Sequence, residues 1–152
     1  MFRGFNSASV DNKGRLAVPV RLRERLTAGD VNLLILTLNP WDRCLWLYPL
    51  REWELIEDKL KALSDFDKQS RRTKQILRGY ATECALDAQG RILIPADLRS
   101  FAGISSQVVV SGQGNKCEIW DKDSWAQARD EWLQGNVGAD GEAPAALQSL
   151  SL

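Results

Sequence analysis

A nine-residue segment occurs twice in this chain of 152 residues. Positions 11–19 read Asp-Asn-Lys-Gly-Arg-Leu-Ala-Val-Pro, and positions 87–95 read Asp-Ala-Gln-Gly-Arg-Ile-Leu-Ile-Pro. Six identities fall within the sixteen residues 11–26 and their counterparts, and the surrounding apolar positions also match. We interpret the two halves as the products of a duplication, so one small structural unit is used twice.

The size of one half limits how this chain can fold. About 75 residues is near the size at which a single hydrophobic core becomes marginal. The whole chain is 44% apolar and contains six tryptophans, which is enough for a core. We therefore expect the two halves to pack on each other or on neighbouring copies.

The repeated segment predicts a strand–turn–strand–helix unit. Residues 7–10 and 15–18 flank Asp-Asn-Lys-Gly, in which Asp11 can accept a backbone bond and Gly14 tolerates positive φ, so we predict a short hairpin. Pro19 ends the second strand and opens a helix over 20–28, which Gly29 stops. The second half repeats the plan, with Asp87 and Gly90 in the turn, strands over 83–86 and 91–94, and a helix reaching residue 102.

The remaining elements follow from apolar runs and helical spacing. Strands are predicted over 31–38, 44–48, 107–111 and 116–120. A helix from Leu50 has its apolar face at Trp53, Ile56, Leu60 and Leu63 and an expected ion pair between Glu57 and Lys61. A second helix over 68–80 should hold Arg71, Arg72, Lys74 and Arg78 on its solvated faces. After a tail helix with Trp125, Ala128 and Trp132 that ends at Gly135, residues 136–146 are predicted to be mobile.

Composition excludes several classes of protein. There is no histidine, no phosphate-binding or dinucleotide-binding glycine motif and no nucleophile motif, so we predict a non-enzyme without metal, cofactor or small-molecule substrate. The chain shows no signal peptide and no membrane-spanning run, so a cytoplasmic protein is expected. Three cysteines without a Cys-x-x-Cys spacing are interpreted as small buried hydrophobes. Five tryptophans lie at core spacing, which favours a structural role over base stacking: Trp46, Trp53, Trp120, Trp125 and Trp132.

The Asp-x-x-Gly-Arg turn has two interpretations. In the structural one, Arg15 and Arg91 pair back onto Asp11 and Asp87. In the functional one, the aspartates and glycines build the turns and the arginines are presented to phosphates or to guanine. Residues 1–27 hold six Lys and Arg against two acids, which is more positive charge than a hairpin needs for solubility and favours a polyanion partner. The Arg71, Arg72 and Lys74 run is about equally consistent with a solvated helix face and a nucleic-acid patch.

Several motifs together resemble the MraZ family of bacterial transcriptional regulators. These are the paired Asp-x-x-Gly-Arg-(apolar)₃-Pro units, the Met-Phe-Arg-Gly start, the stretch Leu-Tyr-Pro-Leu-x-x-Trp-Glu and the ending Leu-Gln-Ser-Leu-Ser-Leu. The likeness covers nearly the whole chain. It implies an α+β, mainly β fold in which duplicated AbrB-like swapped-hairpin units form a pseudo-two-fold, β-barrel-like core with flanking helices. The expected boundaries are 5–52 for the first unit, 53–80 for connecting helices, 81–124 for the second unit and 125–152 for the C-terminal helix and mobile tail.

The resemblance also implies a function. A protein of this family is expected to form a ring-like homo-oligomer, to bind direct repeats in promoter double-stranded DNA at the nucleoid, and to repress its own operon, the division and cell-wall cluster. The DNA-contacting residues implied are Arg15 and Arg91, with Lys13, Arg3, Arg21 and Arg23 as further cationic candidates and Asp11, Gly14, Asp87 and Gly90 shaping the turns. Lys13 corresponds to Gln89 and Arg21 to Asp97, so we expect the first turn to contribute more than the second.

Two other functions remain open on the sequence alone. A scaffold ring could bind another protein through tryptophan-rich faces and an acidic tail, with the Asp–Arg pairs purely structural. An AbrB-like antitoxin would bind DNA and neutralise a toxin with a disordered tail, although residues 136–152 form only a short tail.

Overall fold

The computed structural model describes residues 1–28, 32–136 and 144–151. It divides into two compact units, Met1–Lys122 and Asp123–Leu152. No helix in the described part of the chain is both long enough and apolar enough to cross a membrane.

Eight strands and six helices are formed by the described residues of the two units. In the first unit they are, in chain order, β1 (Phe5–Ser9), β2 (Arg15–Ala17), α1 (Val20–Leu26), β3 (Leu34–Leu38), β4 (Leu45–Pro49), α2 (Leu50–Lys61), α3 (Lys68–Gly79), β5 (Thr82–Cys84), β6 (Arg91–Leu93), α4 (Ala96–Ala102), β7 (Gln107–Gly112) and β8 (Cys117–Asp121). The second unit is built from α5 (Lys122–Asn136) and α6 (Ala145–Gln148).

The two halves of the repeat exchange strands. The large sheet has the order β1-β7-β8-β4-β3-β5, so β1 of the first half pairs with β7 of the second, and β5 of the second half pairs with β3 of the first. The order is symmetric about the β4–β8 pair, where the halves meet. A separate antiparallel ladder joins β2 to β6, with Leu16 opposite Ile92. The duplication is therefore expressed as a pseudo-two-fold arrangement within one chain.

This topology confirms the α+β class but not the barrel. The six-stranded order is open, with β1 and β5 at its two edges. Helices α1 to α4 lie on the two faces of this open sheet, and the barrel-like core is not confirmed.

The predicted hairpins are confirmed at their turns, but their strands pair mainly with the other half of the chain. The turn forms as expected, but only a single bridge between Val10 and Leu16 joins its two arms before β1 leaves for β7. The second arm bonds instead to the other half, because the Val18 N–H donates to the Gly90 carbonyl at 3.0 Å and the Ile94 N–H donates to the Gly14 carbonyl at 2.8 Å. A pairing between residues some 75 positions apart thus replaces the local one.

Two apolar clusters cover the two faces of the large sheet. Strand side chains alternate between faces, so Leu34, Leu36, Leu45 and Leu47 join the cluster that contains the β2–β6 ladder and helices α1 and α4. Ile35, Trp46 and Tyr48 point to the other face and pack with Trp53, Leu60 and Leu77 of helices α2 and α3. The first unit is consequently a three-layer arrangement with the sheet in the middle.

Helix α2 begins at Leu50 as predicted, but its polar contacts differ. Trp53 and Leu60 are buried, whereas Leu63 lies beyond the helix end and is 39% exposed. The expected Glu57–Lys61 pair is wrong. Glu57 accepts a 2.7 Å hydrogen bond from the indole N–H of Trp53, and Lys61 pairs with Asp58 at 3.7 Å.

Helix α3 departs from its predicted pattern at one residue. Lys74 is buried at 8% exposure rather than solvated, because its ammonium group donates to the Leu63 carbonyl at 2.8 Å and pairs with Asp65. The other three cations of the run, Arg71, Arg72 and Arg78, are exposed as predicted.

The tryptophan and cysteine predictions hold in part. Trp46, Trp53 and Trp120 are buried as predicted. Trp132 of α5 is 42% exposed, so its predicted place in a core is wrong. The three cysteines are free, with Cys44 and Cys117 buried and Cys84 partly buried. Helix α5 passes Gly135 and ends at Asn136, while Gly29 and residues 137–143 of the predicted mobile tail lie outside the described residues.

Candidate nucleic-acid interface

The two Asp-x-x-Gly-Arg turns have the same backbone geometry. In the first, the Asp11 N–H donates to the Arg15 carbonyl and the Gly14 N–H donates to the Asp11 carbonyl, both at 3.0 Å. In the second, the matching bonds measure 2.9 and 3.0 Å. Gly14 and Gly90 have φ of +88° and +75°, which residues with a side chain rarely adopt. The glycine at the fourth position is thus required by the turn.

The aspartate of each turn gathers three N–H groups. Oδ1 of Asp11 accepts from the backbone of Lys13 at 3.0 Å and of Arg15 at 2.9 Å, and Oδ2 accepts from Arg15 Nε at 2.7 Å. Asp87 repeats the pattern with Gln89 and Arg91, each bond measuring 2.9 Å. The ion pairs that the structural interpretation expected, Arg15 with Asp11 and Arg91 with Asp87, are therefore both formed.

These bonds favour the charged form of both carboxyl groups. The backbone N–H of Arg15 is the main cause that lowers the pKa of Asp11, to about 2, with smaller contributions from the Arg15 side chain and the Lys13 N–H and an opposing effect of desolvation. The pKa of Asp87 is lowered chiefly by the N–H of Arg91 in the same way. Both turns hold an ionised carboxylate at neutral pH.

Both turn arginines lie on one solvent-facing surface. In the β2–β6 ladder Arg15 is opposite Leu93 and Ala17 is opposite Arg91, while Leu16 and Ile92 between them point to the core. Side chains at alternate positions share a face, so the two arginines are diagonal neighbours on the outer side. The turns are close to each other, because Nη1 of Arg91 lies 3.9 Å from Oδ2 of Asp11. We call this surface, formed by the two turns and the outer side of β2 and β6, the turn face.

Each arginine keeps part of its hydrogen-bonding capacity. The guanidinium group has five N–H donors, and the aspartate occupies only the Nε edge. The side chains of Arg15 and Arg91 are 34% and 28% exposed. Pairing onto aspartate therefore fixes the direction of the side chain and leaves Nη donors for a ligand with two neighbouring acceptor atoms, such as a phosphate or the O6/N7 edge of guanine.

A second pair of arginines supports the turns from behind. Arg23 of α1 donates from Nε to the Val18 carbonyl at 2.7 Å, and its guanidinium group lies where a β-carbon on Gly90 would stand. Arg99 of α4 lies against Gly14 in the same way. Arg23 was predicted to contact DNA, but its contacts fit a supporting role in the second turn. Arg99 was not predicted, although its alignment with Arg23 in the repeat is the signal that could have identified it.

The other predicted cations are spread over two places. Lys13 is exposed at the tip of the first turn, on the turn face. Arg21 donates to the Arg3 carbonyl at 2.8 Å and to Asn6 Oδ1 at 3.0 Å. Its contacts, like the position of Arg3, belong to the N-terminal segment beside β1. The positive charge of residues 1–27 is thus only partly gathered at the turns.

The thiols do not offer an alternative reactive site. Burial raises the pKa of Cys84 and of Cys117 to about 12, in the latter case against an opposing effect of Arg21. Burial raises the pKa of Cys44 well above its ordinary range. At neutral pH all three stay protonated, and a protonated thiol is a poor nucleophile.

Comparisons with known proteins agree with this architecture. The family described as "MraZ protein, putative antitoxin-like" matches residues 1–76 and again residues 77–142. Proteins named "Transcriptional regulator MraZ" from Halorhodospira halophila, Thioalkalivibrio sulfidiphilus and Coxiella burnetii are 48%, 47% and 45% identical to this chain over all 152 residues and over the whole of each relative. The names of these relatives describe a non-enzymatic class, in agreement with the prediction that the chain is not an enzyme.

Proposed function

The chain belongs to the MraZ family, and we propose that it is a transcriptional regulator that binds double-stranded DNA with its turn face. The observation that carries this proposal is the joint presentation of Arg15 and Arg91, each fixed by an aspartate at Nε and each with a partly exposed side chain. The relatives that match over their full length are named transcriptional regulators.

The turn face suits a nucleic acid physically. Side-chain and backbone donors that bind phosphates position a protein on DNA, whereas arginine forks read base edges. Lys13 at the tip of the first turn supplies a phosphate contact, and Arg15 beside it supplies the fork. Since the net charge of the chain is zero, attraction to DNA must come from this local excess of cations rather than from the whole molecule.

We further propose that the first turn contributes more than the second. Arg91 is engaged more fully within the protein, because Nη2 also donates to Gln89 Oε1 at 3.2 Å and Nη1 approaches Asp11. Gln89 is uncharged where the first turn has Lys13. Arg15 therefore has the larger free capacity for a DNA partner.

The finer regulatory role follows from the family resemblance and one physical argument. We propose a ring-like homo-oligomer that binds direct repeats in the promoter of its own division and cell-wall operon and represses it from the nucleoid. One turn face makes few contacts, but linked copies raise the overall affinity by roughly 10² or more where the DNA spacing fits. A head-to-tail ring presents its faces in the same direction, which matches direct repeats rather than palindromes.

The decisive experiment is a gel-shift titration on the region upstream of the protein's own gene. Wild type is compared with Arg15→Ala, Arg91→Ala and Arg51→Ala, where Arg51 is an exposed arginine of α2 that controls for the loss of one charge. We expect Arg15→Ala to abolish the shift, Arg91→Ala to weaken it by about tenfold or more, and Arg51→Ala to leave it unchanged. The wild-type affinity should fall steeply with salt, with a slope of about −0.9 per neutralised phosphate.

A thermal melt of each variant separates this proposal from the scaffold alternative. If the protein is a scaffold in which the Asp–Arg pairs are only structural, Arg15→Ala lowers the melting temperature, and neither wild type nor the variant shifts the DNA. Equal losses for Arg15→Ala and Arg91→Ala would refute the asymmetry alone. A salt-independent shift, or the same shift for all four proteins, would refute DNA binding by the turn face.

A further inference from the structure

A cleft of about 690 Å³ lies between helices α2 and α3 and the large sheet. Its floor contains Trp46 and Tyr48, which belong to the apolar cluster on the sheet face opposite the β2–β6 ladder. The cleft is therefore separate from the turn face, and the function proposed above makes no use of it. Its volume is in the range of sites for small molecules.

Aromatic rings line the cleft from its floor to its rim. Trp41, in the β3–β4 loop, is 74% exposed and its ring centroid is 5.7 Å from that of Trp46 in an edge-to-face arrangement. Trp46 in turn lies 6.3 Å from Tyr48. An indole exposed to this extent beside buried rings offers a flat apolar contact to a planar ligand.

Three cations line the same space. The Lys116 ammonium group lies 4.7 Å above the Trp46 ring and 5.6 Å from the Tyr48 ring, and Lys59 and Arg72 approach from α2 and α3. Desolvation lowers the pKa of Lys116, with a smaller contribution from Lys59 and an opposing effect of Glu118. Like charges that face one cleft favour an anion between them.

None of these three cations forms a direct ion pair with a carboxylate among the described residues, where no carboxylate oxygen lies within 4 Å of the charged groups of Lys59, Arg72 or Lys116. Glu118 is engaged by other donors, namely Trp46 Nε1 and Trp120 Nε1 at 3.0 Å each and Asn39 Nδ2 at 3.5 Å. Asp67 also lines the cleft, but its carboxylate caps α3 through the Ser70 N–H at 2.8 Å.

We propose that this cleft binds a small aromatic anion, a planar ring system that carries a carboxylate or phosphate. The ring packs against Trp41 and Trp46, and the anionic group pairs with Lys116, whose ammonium group donates to Asn115 Oδ1 at 3.4 Å and has no carboxylate within 4 Å among the described residues. Binding there gives a regulator a ligand site on the face of the sheet that the turns do not use.

Matched probes test the need for both the ring and the charge. The full chain labelled with ¹⁵N is titrated with 2-naphthoate, 2-naphthyl phosphate and the neutral 2-naphthamide. The indole N–H signals of Trp41 and Trp46, assigned with Trp41→Phe and Trp46→Phe, report on the cleft. We expect saturable shifts of both signals with the two anions, and at least about tenfold weaker binding of the amide. Stronger binding of one anion than of the other identifies which group the cleft prefers.

Lysine variants assign the charge contribution. Lys116→Met keeps the apolar stem and should remove the preference for anions over the amide. Lys59 is exposed, so Lys59→Met should reduce the preference for anions over the amide without affecting the fold. This variant replaces Lys116→Met in the test if Lys116→Met does not fold. Lys61→Met, also on α2 but outside the cleft, is the matched control and should bind as wild type does.

Three results would overturn the proposal. Equal binding of the amide and the anions would show that charge plays no part. Shifts spread over many indole signals without saturation would indicate an adventitious additive only. A change of the Trp41 signal on dilution, without any probe, would show that a second copy of the chain covers the cleft.

Discussion

Gly90 and Arg23 show how a residue in one repeat depends on the side chain of a residue in the other repeat. The backbone of Gly90 has φ of +75°, and the Arg23 side chain lies in the space that a β-carbon would need. Gly103 has a comparable φ of +62° but nothing within 4 Å of its β-carbon position. Both positions therefore need a residue that tolerates positive φ, but only Gly90 also needs the absence of a β-carbon to make room for Arg23.

We predict that Gly90→Ala destabilises the protein more than Gly103→Ala does. The left-handed backbone should cost about 1–2 kcal/mol at either position. Displacement of Arg23 from the Val18 carbonyl should cost roughly 1 kcal/mol more at Gly90 alone. Chemical denaturation of the two variants measures the difference, with Gly79→Ala, in α3 with an open β-carbon position, as the control. Equal losses at the two positions would contradict the support of the turn by Arg23.

Asp11 gives the turn face a predictable response to acid. Because its pKa is lowered from 3.8 to about 2 in the folded protein, the stability it contributes is complete above the unfolded value and is lost as pH falls through about 2. We expect Asp11→Asn to lower the melting temperature at neutral pH and to make it less sensitive to pH between about 4 and 2. Melting curves across that range test this expectation, and parallel curves for variant and wild type would disprove it.

At the scale of elements, α3 shows where an amphipathic pattern misleads. The spacing of its cations predicts solvated faces, yet Lys74 is buried because the segment between α2 and α3 folds back and places the Leu63 carbonyl and Asp65 beside it. A helical wheel describes one helix, whereas the burial of Lys74 depends on a loop nine residues earlier. No local pattern in the sequence identifies such a contact.

We predict an asymmetric effect when this ion pair is broken. Asp65 is 78% exposed at its side chain, so Lys74→Met leaves behind a carboxylate that water can solvate, and it should change the free energy of unfolding by no more than about 1 kcal/mol. Asp65→Asn leaves a buried ammonium group without a counter-charge and should lower the melting temperature further than Lys74→Met. Melts of the two variants decide the order, and the reverse order would show that the salt bridge does not set the energetics of this pair.

The β elements show which parts of the fold and site can be read from sequence. The turns were predictable because Asp, Gly and Arg act within five residues of one another. The starts of α1, α2 and α3 were predictable from Pro19, Leu50 and Lys68 and the apolar spacing that follows. The partners of β1 and β5 were not, because exchange of strands satisfies the same alternation of side chains as a local hairpin does. The contact of Arg99 with Gly14 joins residues of different halves, so among the sequence signals only the alignment of Arg99 with Arg23 in the repeat could have indicated it.

At the scale of the whole molecule, strand exchange makes one folding unit out of two repeats. Strand β3 of the first half pairs with β5 of the second half, and β1 of the first half pairs with β7 of the second. Leu16 and Ile92, at exposures of 0% and 1%, face each other across the halves in the same apolar cluster. Neither half can complete this cluster alone. We therefore expect residues of the first unit to unfold in a single transition.

Separated halves of the chain test whether either repeat can form the core alone. Cleavage of the chain between Tyr80 and Ala81, in the short connection before β5, keeps α3 with β3. We expect fragments 1–80 and 81–152 each to lack a cooperative thermal transition as monomers, because β1 and β5 have lost their partners. An equimolar mixture should recover the transition, although with a midpoint that rises with concentration because the two fragments must associate. Sedimentation run beside the melts distinguishes a folded monomer from self-association of one fragment. A monomeric fragment with a sharp transition of its own would show that the repeat is a self-sufficient domain, and the exchange of strands would then be a docking of two domains rather than the basis of one core.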